Sequence, residues 1–421
     1  MNLLGSRTIQ LPETLADVVT KNSESEAAPD AVGLAPRAAK RVWRSVQDLY
    51  RTGVFPAVGF CLRRKGQIVL NRTLGHARGN GPGEEHSTAA ELLKPDTPVC
   101  IFSAAKAVTA VLIHKLAEEG GIRLDERVSH YLPEFAANGK GETTVEQVLS
   151  HRGGFPMFDL PKDEMKAETL LDWDRCIKMI CEAPPTHRAA QAKAPRLAYH
   201  AITAGHILAE VLHRVTNRSL RDYLDDKLRK PLGMTYFTYG LAAEHRHLAA
   251  QNYVTGIPVR YPITGLLERA LGLPLDQVVE ISNTSVFTDA LIPAGNIYCT
   301  AEELSRFYQM LLNGGELGGV QVLRPETVAR AVAPAVPLAF DHTLKIPMRY
   351  SAGLMLGAAP FGVYGPMTAR AYGHIGLMNV FGWADPQRDI SVAVLTTGKA
   401  VLGTHLWALG QLLTTIAWNC R

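Results

Sequence analysis

Stretches with strand character stand near both ends of this chain, and helical patterns fill the middle. Residues 54–62 and 67–71 read as two antiparallel strands joined by a charged turn at 63–66. Residues 371–383 and 390–397 read as strands around the turn Asp385-Pro386-Gln387-Arg388. Between them, apolar residues at helical spacing predict helices over 103–119, 201–230 and 301–312, with two more at 35–51 and 401–418. Such a chain must bring its two ends together to complete a sheet. The expected class is α/β (α+β): one antiparallel sheet flanked by helices, with a helical region inserted. Residues 1–35 read as a loose N-terminal arm and 36–421 as one domain. Within it, 36–90 and 290–421 form the sheet region and 91–289 a mainly helical region.

Composition excludes several classes. The 421 residues are 47% hydrophobic, ample for a large core, and the net charge is only +4. The one tight basic cluster, Arg63-Arg64-Lys65, reads as a solvated turn, so no nucleic-acid partner is expected. Fourteen histidines occur without a His-Glu-x-x-His, and no metal site is expected. Six cysteines are scattered without a Cys-x-x-Cys, as free thiols are. Residues 1–19 lack the marks of a secretory leader, and no apolar run is long enough to span a membrane. A reducing cytoplasm is the expected location. The glycines of residues 78–87 lack the strand-then-helix context of a phosphate site, and no cofactor is implied.

Chemistry concentrates in Ile101-Phe102-Ser103-Ala104-Ala105-Lys106-Ala107-Val108. Ser103 and Lys106 are three residues apart at the start of the 103–119 helix, so both side chains share a face. A serine hydroxyl attacks poorly until a base removes its proton. Lysine serves as that base only where burial or neighbouring positive charge favours its neutral form. Apolar residues flank the pair on both sides, and no other Ser-x-x-Lys occurs in the chain. The alternative for such a pattern is a surface lysine one turn after a helix cap. Buried lysine, however, is rare without a partner or a role. No Gly-x-Ser-x-Gly occurs, so an α/β-hydrolase elbow has no candidate. The apolar segment 241–286 reads as a lid or a pocket wall.

Further short motifs follow in order: Leu149-Ser150-His151-Arg152-Gly153-Gly154, Tyr199-His200-Ala201, Pro231-Leu232-Gly233-Met234, Pro293-Ala294-Gly295-Asn296 and Gly373-His374-Ile375-Gly376. With the Ser-x-x-Lys, this series resembles the serine β-lactamase-like hydrolases over about nine-tenths of the chain. The likeness is greatest to family VIII carboxylesterases, which have the class C β-lactamase fold. The resemblance implies a β-lactamase/transpeptidase-like fold and three catalytic residues, Ser103, Lys106 and Tyr199. Tyr199 would relay a proton between Ser103, Lys106 and the leaving group, provided nearby positive charge lowers its pKa. It also implies that the amides of Ser103 and Leu377 form an oxyanion hole beside Gly376 and His374 on a sheet strand. Without the family, Tyr199 reads as a core tyrosine and His374 as an ordinary strand-edge histidine.

Two departures bear on the substrate. β-Lactamases carry Asn where this chain has Ala201, and a lysine where it has His374. Both weaken recognition of a β-lactam or a D-Ala-D-Ala peptide and suit an uncharged ester. The expected function is a serine carboxylesterase/lipase-like hydrolase acting on short to medium acyl esters through an acyl-enzyme on Ser103. The alternatives are a β-lactamase or D-alanyl-D-alanine peptidase, an acyltransferase, and an inactive binding protein on the same scaffold.

Overall fold

The computed structural model describes residues 5–84, 87–158, 166–186 and 196–421. Glu85 and His86 of the 78–87 segment lie outside the described residues. The main sheet joins β1 (Val19–Lys21), β2 (Ala57–Arg64), β3 (Gln67–Arg78), β4 (Glu91–Leu92), β5 (Pro334–Phe340), β6 (Pro347–Ser351), β7 (Met355–Leu356), β8 (Tyr372–Gly376), β9 (Val380–Asp385) and β10 (Ile390–Thr396). Their order is β1-β3-β2-β10-β9-β8-β7-β6-β5, with β4 paired to β3, and every pairing is antiparallel. The two ends of the chain meet at the β2–β10 seam, where Val58 faces Thr396 and Arg64 faces Ile390.

Every residue of β2 is buried, because both faces of the sheet are covered. Alternation sends successive side chains to opposite faces. Val58, Phe60 and Leu62 join a core with α1 (Pro36–Tyr50) and α9 (His405–Asn419). Ala57 and Cys61 join the other core, with α2 (Ala105–Glu118), α4 (Thr203–Thr216) and α8 (Ala301–Leu312). The result is a helix–sheet–helix sandwich. Between β4 and β5 the described chain is mainly helical, and it also includes α3 (Ala167–Leu171), α5 (Ile263–Leu271), α6 (Leu275–Ile281) and α7 (Ser285–Asp289).

Three expectations need correction. Residues 5–35 are not a loose arm: Val19 pairs with Leu74, and Ile9, Val18, Val32 and Leu34 are buried. Of the 63–65 cluster only Lys65 lies exposed in the turn. Arg63 and Arg64 are buried; Arg63 pairs with Glu302 and bonds Ser305 Oγ at 3.0 Å, and Arg64 donates to the Cys420 carbonyl. Residues 371–383 are not continuous strand, since a turn at 377–379 divides β8 from β9.

Candidate active site

Ser103 lies on a single 3₁₀ turn, Phe102–Ala104, that feeds directly into α2. The helix is therefore shorter at its start than the expected 103–119, and Ser103 precedes it. Phe102 holds φ +46°, a left-handed conformation that a bulky residue adopts only when its surroundings impose it. Its ring is held by Phe287 (centroids 6.4 Å apart) and by the Lys399 ammonium 4.7 Å above it.

Lys106 Nζ stands 3.1 Å from Ser103 Oγ and 2.9 Å from the Ala294 carbonyl oxygen. The side chain is 7% exposed, and among the described residues no carboxylate pairs with it. Burial alone lowers its pKa to about 7, which leaves much of the amine neutral near neutral pH. The loop carrying Ala294 is fixed by fully buried Asn296. Its Nδ2 donates to the Phe287 and Ala290 carbonyls (3.0 and 2.8 Å), and its Oδ1 accepts from the Ile292 amide (3.0 Å). Gly205 of α4 permits the close approach, because a Cβ there would lie 2.9 Å from the Ala294 nitrogen.

Tyr199 sits four residues before α4 and is buried. Its phenol neighbours the Ser103 side chain, and Lys106 Nζ lies 5.1 Å from its ring centroid. His151 packs on the ring at 4.6 Å and His374 at 6.1 Å. The expected lowering of the phenol pKa by positive charge does not occur. Burial dominates and raises it, the neighbouring Ser103 hydroxyl offsets part of the rise, and Asp341 adds to it. Tyr199 is thus a neutral phenol across the physiological range.

Ser103, Lys106 and Tyr199, 96 positions apart at their extremes, therefore meet at one hydroxyl. The expected residues on and just after β8 divide. Gly376 ends β8 against the Ser103 turn; a Cβ there would fall 2.1 Å from the Ile101 carbonyl oxygen. Leu377, the next residue, lines the same cavity as Ser103 and Ala201. His374 is fully buried and absent from that lining. Its Nδ1 bonds the Ile375 carbonyl at 2.9 Å and its Nε2 has no partner. Burial first, then the neighbouring Lys106, lowers its pKa to about 3, so it stays uncharged.

The cavity is apolar. Phe102, Ile202, Leu170 and Leu171 line one part, and Leu273, Val278, Ile281 and Phe287 of the expected lid-or-wall segment and the residues just after it line another. Among the described residues that line it, Ser103 has the one polar side chain.

Two buried charged groups escaped sequence reasoning. Asp341 accepts from the Tyr199, Thr343 and Leu344 amides through Oδ1 (3.1, 2.8 and 2.9 Å) and from the Tyr350 hydroxyl through Oδ2 (3.1 Å). The Asp-x-Thr run that closes an Asx-type turn was its sequence signal. Lys399 is fully buried beneath Phe102 and donates to the Thr396 carbonyl at 2.6 Å. Its signal was a lysine set among apolar residues.

The sequence model of the family described as Beta-lactamase matches residues 42–412. The Esterase/beta-lactamase LipL of Mycobacterium tuberculosis is 28% identical over 316 residues, covering 71% of this chain and 69% of the relative. A crystal structure of a penicillin-binding protein homologue from Caulobacter crescentus superposes with TM-score 0.77 at 26% identity, over 92% of this chain and 99% of that one. A family VIII carboxylesterase structure superposes with TM-score 0.76 at 25% identity and the same coverage. With its antiparallel sheet, inserted helices and a serine–lysine pair at the foot of α2, the chain belongs to the beta-lactamase family and has the β-lactamase/transpeptidase-like fold of that hydrolase family.

Proposed function

We propose that the protein is a serine esterase that cleaves uncharged carboxylic esters of short to medium acyl length. The observation that carries this reading is the Lys106 amine, 3.1 Å from the Ser103 hydroxyl, which lines a cavity with no other polar side chain among the described residues. Neutral Lys106 takes the Ser103 proton as Oγ bonds to the ester carbonyl carbon. The carbonyl electrons move onto oxygen, and the amides of Ser103 and Leu377 hold that oxyanion; each such donor contributes about 3 kcal/mol at the transition state. Collapse breaks the bond to the alkoxy oxygen. Tyr199 gives that oxygen its phenolic proton and is reprotonated from the Lys106 ammonium. Water repeats the sequence on the acyl-enzyme, returning Ser103 and releasing the acid.

The cavity favours an ester over a β-lactam or a D-Ala peptide. Among the described residues its lining offers no cation to a substrate carboxylate, and Ala201 offers no amide to a peptide-like side chain. His374 supplies no charge. The test compares p-nitrophenyl esters with nitrocefin on wild type and Ser103→Ala. The proposal expects ester turnover well above nitrocefin turnover, a loss of about 10³-fold or more in Ser103→Ala, and an acyl adduct on the Ser103 peptide by mass spectrometry. Nitrocefin turnover equal to that of the esters would favour a β-lactamase. Full ester activity in the alanine variant would remove Ser103 from the nucleophile role.

A further inference from the structure

Helix α9 spans His405–Asn419 without a single Asp, Glu, Lys or Arg. Its inner face is buried, but Leu406, Trp407 and Trp418 are exposed, Trp407 by 74%. A hairpin formed by Phe361–Gly362 and Gly365–Pro366 packs on the same helix beside Leu413 and adds Phe361, 78% exposed, and Met367. Large exposed apolar groups clustered on neighbouring elements are uncommon on a protein surface and mark a contact.

The other flank of α9 is α1, running antiparallel to it. Arg41 donates to Asn419 Oδ1 at 3.3 Å, and Ser45 Oγ donates to Thr415 Oγ1 at 3.1 Å. Arg37, Lys40, Arg41 and Arg44 are all exposed, and their spacing puts them on one face of α1. Among the described residues none of the four pairs with a carboxylate, and the one acid of the helix, Asp48, is taken by Arg51 at 2.7 Å. Arg421 lies over the Trp418 ring at 3.6 Å.

An uncharged, tryptophan-bearing helix is thus bordered by a row of cations, not interrupted by them. In a helix lying in the plane of a bilayer surface, indole and aliphatic groups enter the headgroup–acyl boundary while basic side chains stay level with the phosphates. We infer that α1, α9 and the 361–366 hairpin form a face that docks the protein peripherally on an anionic phospholipid surface. A nucleic acid would draw on the cations but leave Leu406, Phe361 and Met367 in water. No helix among the described residues is long and apolar enough to cross a membrane. The inference stands apart from the esterase reading, since none of these residues touches Ser103.

The experiment is co-sedimentation of the full chain with phosphatidylcholine vesicles, with and without roughly a quarter phosphatidylglycerol. Low and high salt are compared, and brominated lipids serve as tryptophan quenchers. Binding to the anionic vesicles alone is expected, weakened by salt, with quenching of indole fluorescence. Each Arg37, Lys40, Arg41 or Arg44→Gln change should lower the partition coefficient by about fivefold. Trp407→Ser with Trp418→Ser should abolish quenching and most binding. Thermal midpoint and turnover of a water-soluble ester should stay at wild-type values in all of these variants. Equal binding to neutral vesicles, or none to anionic ones, overturns the inference. So does salt-sensitive binding that survives loss of both tryptophans, which would describe a simple polyanion patch. A dimer in solution that the tryptophan variant dissociates overturns it as well, because a second copy would then cover the face.

Discussion

Asp341 holds Tyr199 by its main chain: a fully buried carboxylate oxygen accepts the Tyr199 amide at 3.1 Å, while the phenol of the same residue reaches Ser103. The same oxygen takes two further amides, so one side chain fixes the segment that brings the phenol to the site. A displacement of about 1 Å at a reacting group can cost 10²-fold in rate. Asp341→Ala is expected to lower kcat for p-nitrophenyl acetate by roughly 10- to 100-fold with KM little changed. Stability should fall by about 2–5 kcal/mol, from three unsatisfied amides. Asp341→Asn retains an acceptor oxygen and should recover most of both. Steady-state kinetics and thermal melts on the three proteins check this. An alanine variant with unchanged kcat would reduce Asp341 to a structural part.

The Lys106 pKa of about 7 sets a pH profile. The proposed base is the neutral amine, so kcat/KM for an uncharged ester should be low in acid. It should rise through a midpoint near that value and level off on the alkaline side. Tyr199 cannot produce this limb, because burial moves its phenol the other way. Lys106→Arg keeps a cation that does not deprotonate in the accessible range. It should be inactive throughout, with no recovery as pH rises. A wild-type profile flat between pH about 5 and 9 would exclude Lys106 as the titrating base.

The sheet, its meeting of chain ends and the Ser103–Lys106 pair were legible because they rest on local periodicity and i, i+3 spacing. What escaped was set by contacts distant in sequence. The 1–35 segment reads as an arm because its strand is three residues long and acquires its meaning only beside Leu74. Arg63 and Arg64 read as solvated because Glu302 and the Cys420 carbonyl arrive from the far end of the chain. The 377–379 turn was hidden because it requires left-handed backbone at Met378 and Asn379, and no glycine marks it. His374 reads as a strand-edge residue by position, but Tyr199 and the sheet close over it.

Lys399 makes a separate statement about stability. It is fully buried with one hydrogen bond and no ion pair among the described residues, and burial lowers its pKa from 10.5 to about 7. Between those values the unfolded chain binds more protons at this site than the folded one, so its contribution improves as pH rises. Below about 7 both states are protonated and the whole penalty is present. Lys399→Met has similar volume and no charge to bury. The variant should melt roughly 2–4 °C above wild type on the acid side of 7. That gap should narrow as pH climbs toward 9. Melting curves across this window, read as the difference between the two proteins, cancel the other titrating groups. A gap that widens with pH would contradict a buried, depressed lysine.

The apolar cavity makes the acyl group measurable. Ser103 lines it, and Val278 and Ile281 of α6 form part of its wall. Each methylene buried there contributes about 0.8 kcal/mol, or roughly fourfold in kcat/KM. A series of p-nitrophenyl esters from acetate upward should therefore climb by that step until the cavity is filled, then fall. Ile281→Trp puts a larger side chain into the same space without touching Ser103, Lys106 or Tyr199. Acetate turnover should stay near wild type while the climb disappears, moving the optimum to a shorter chain. If the tryptophan variant keeps the wild-type chain-length profile, the acyl group lies elsewhere, and the 263–292 segment is not the wall that selects it.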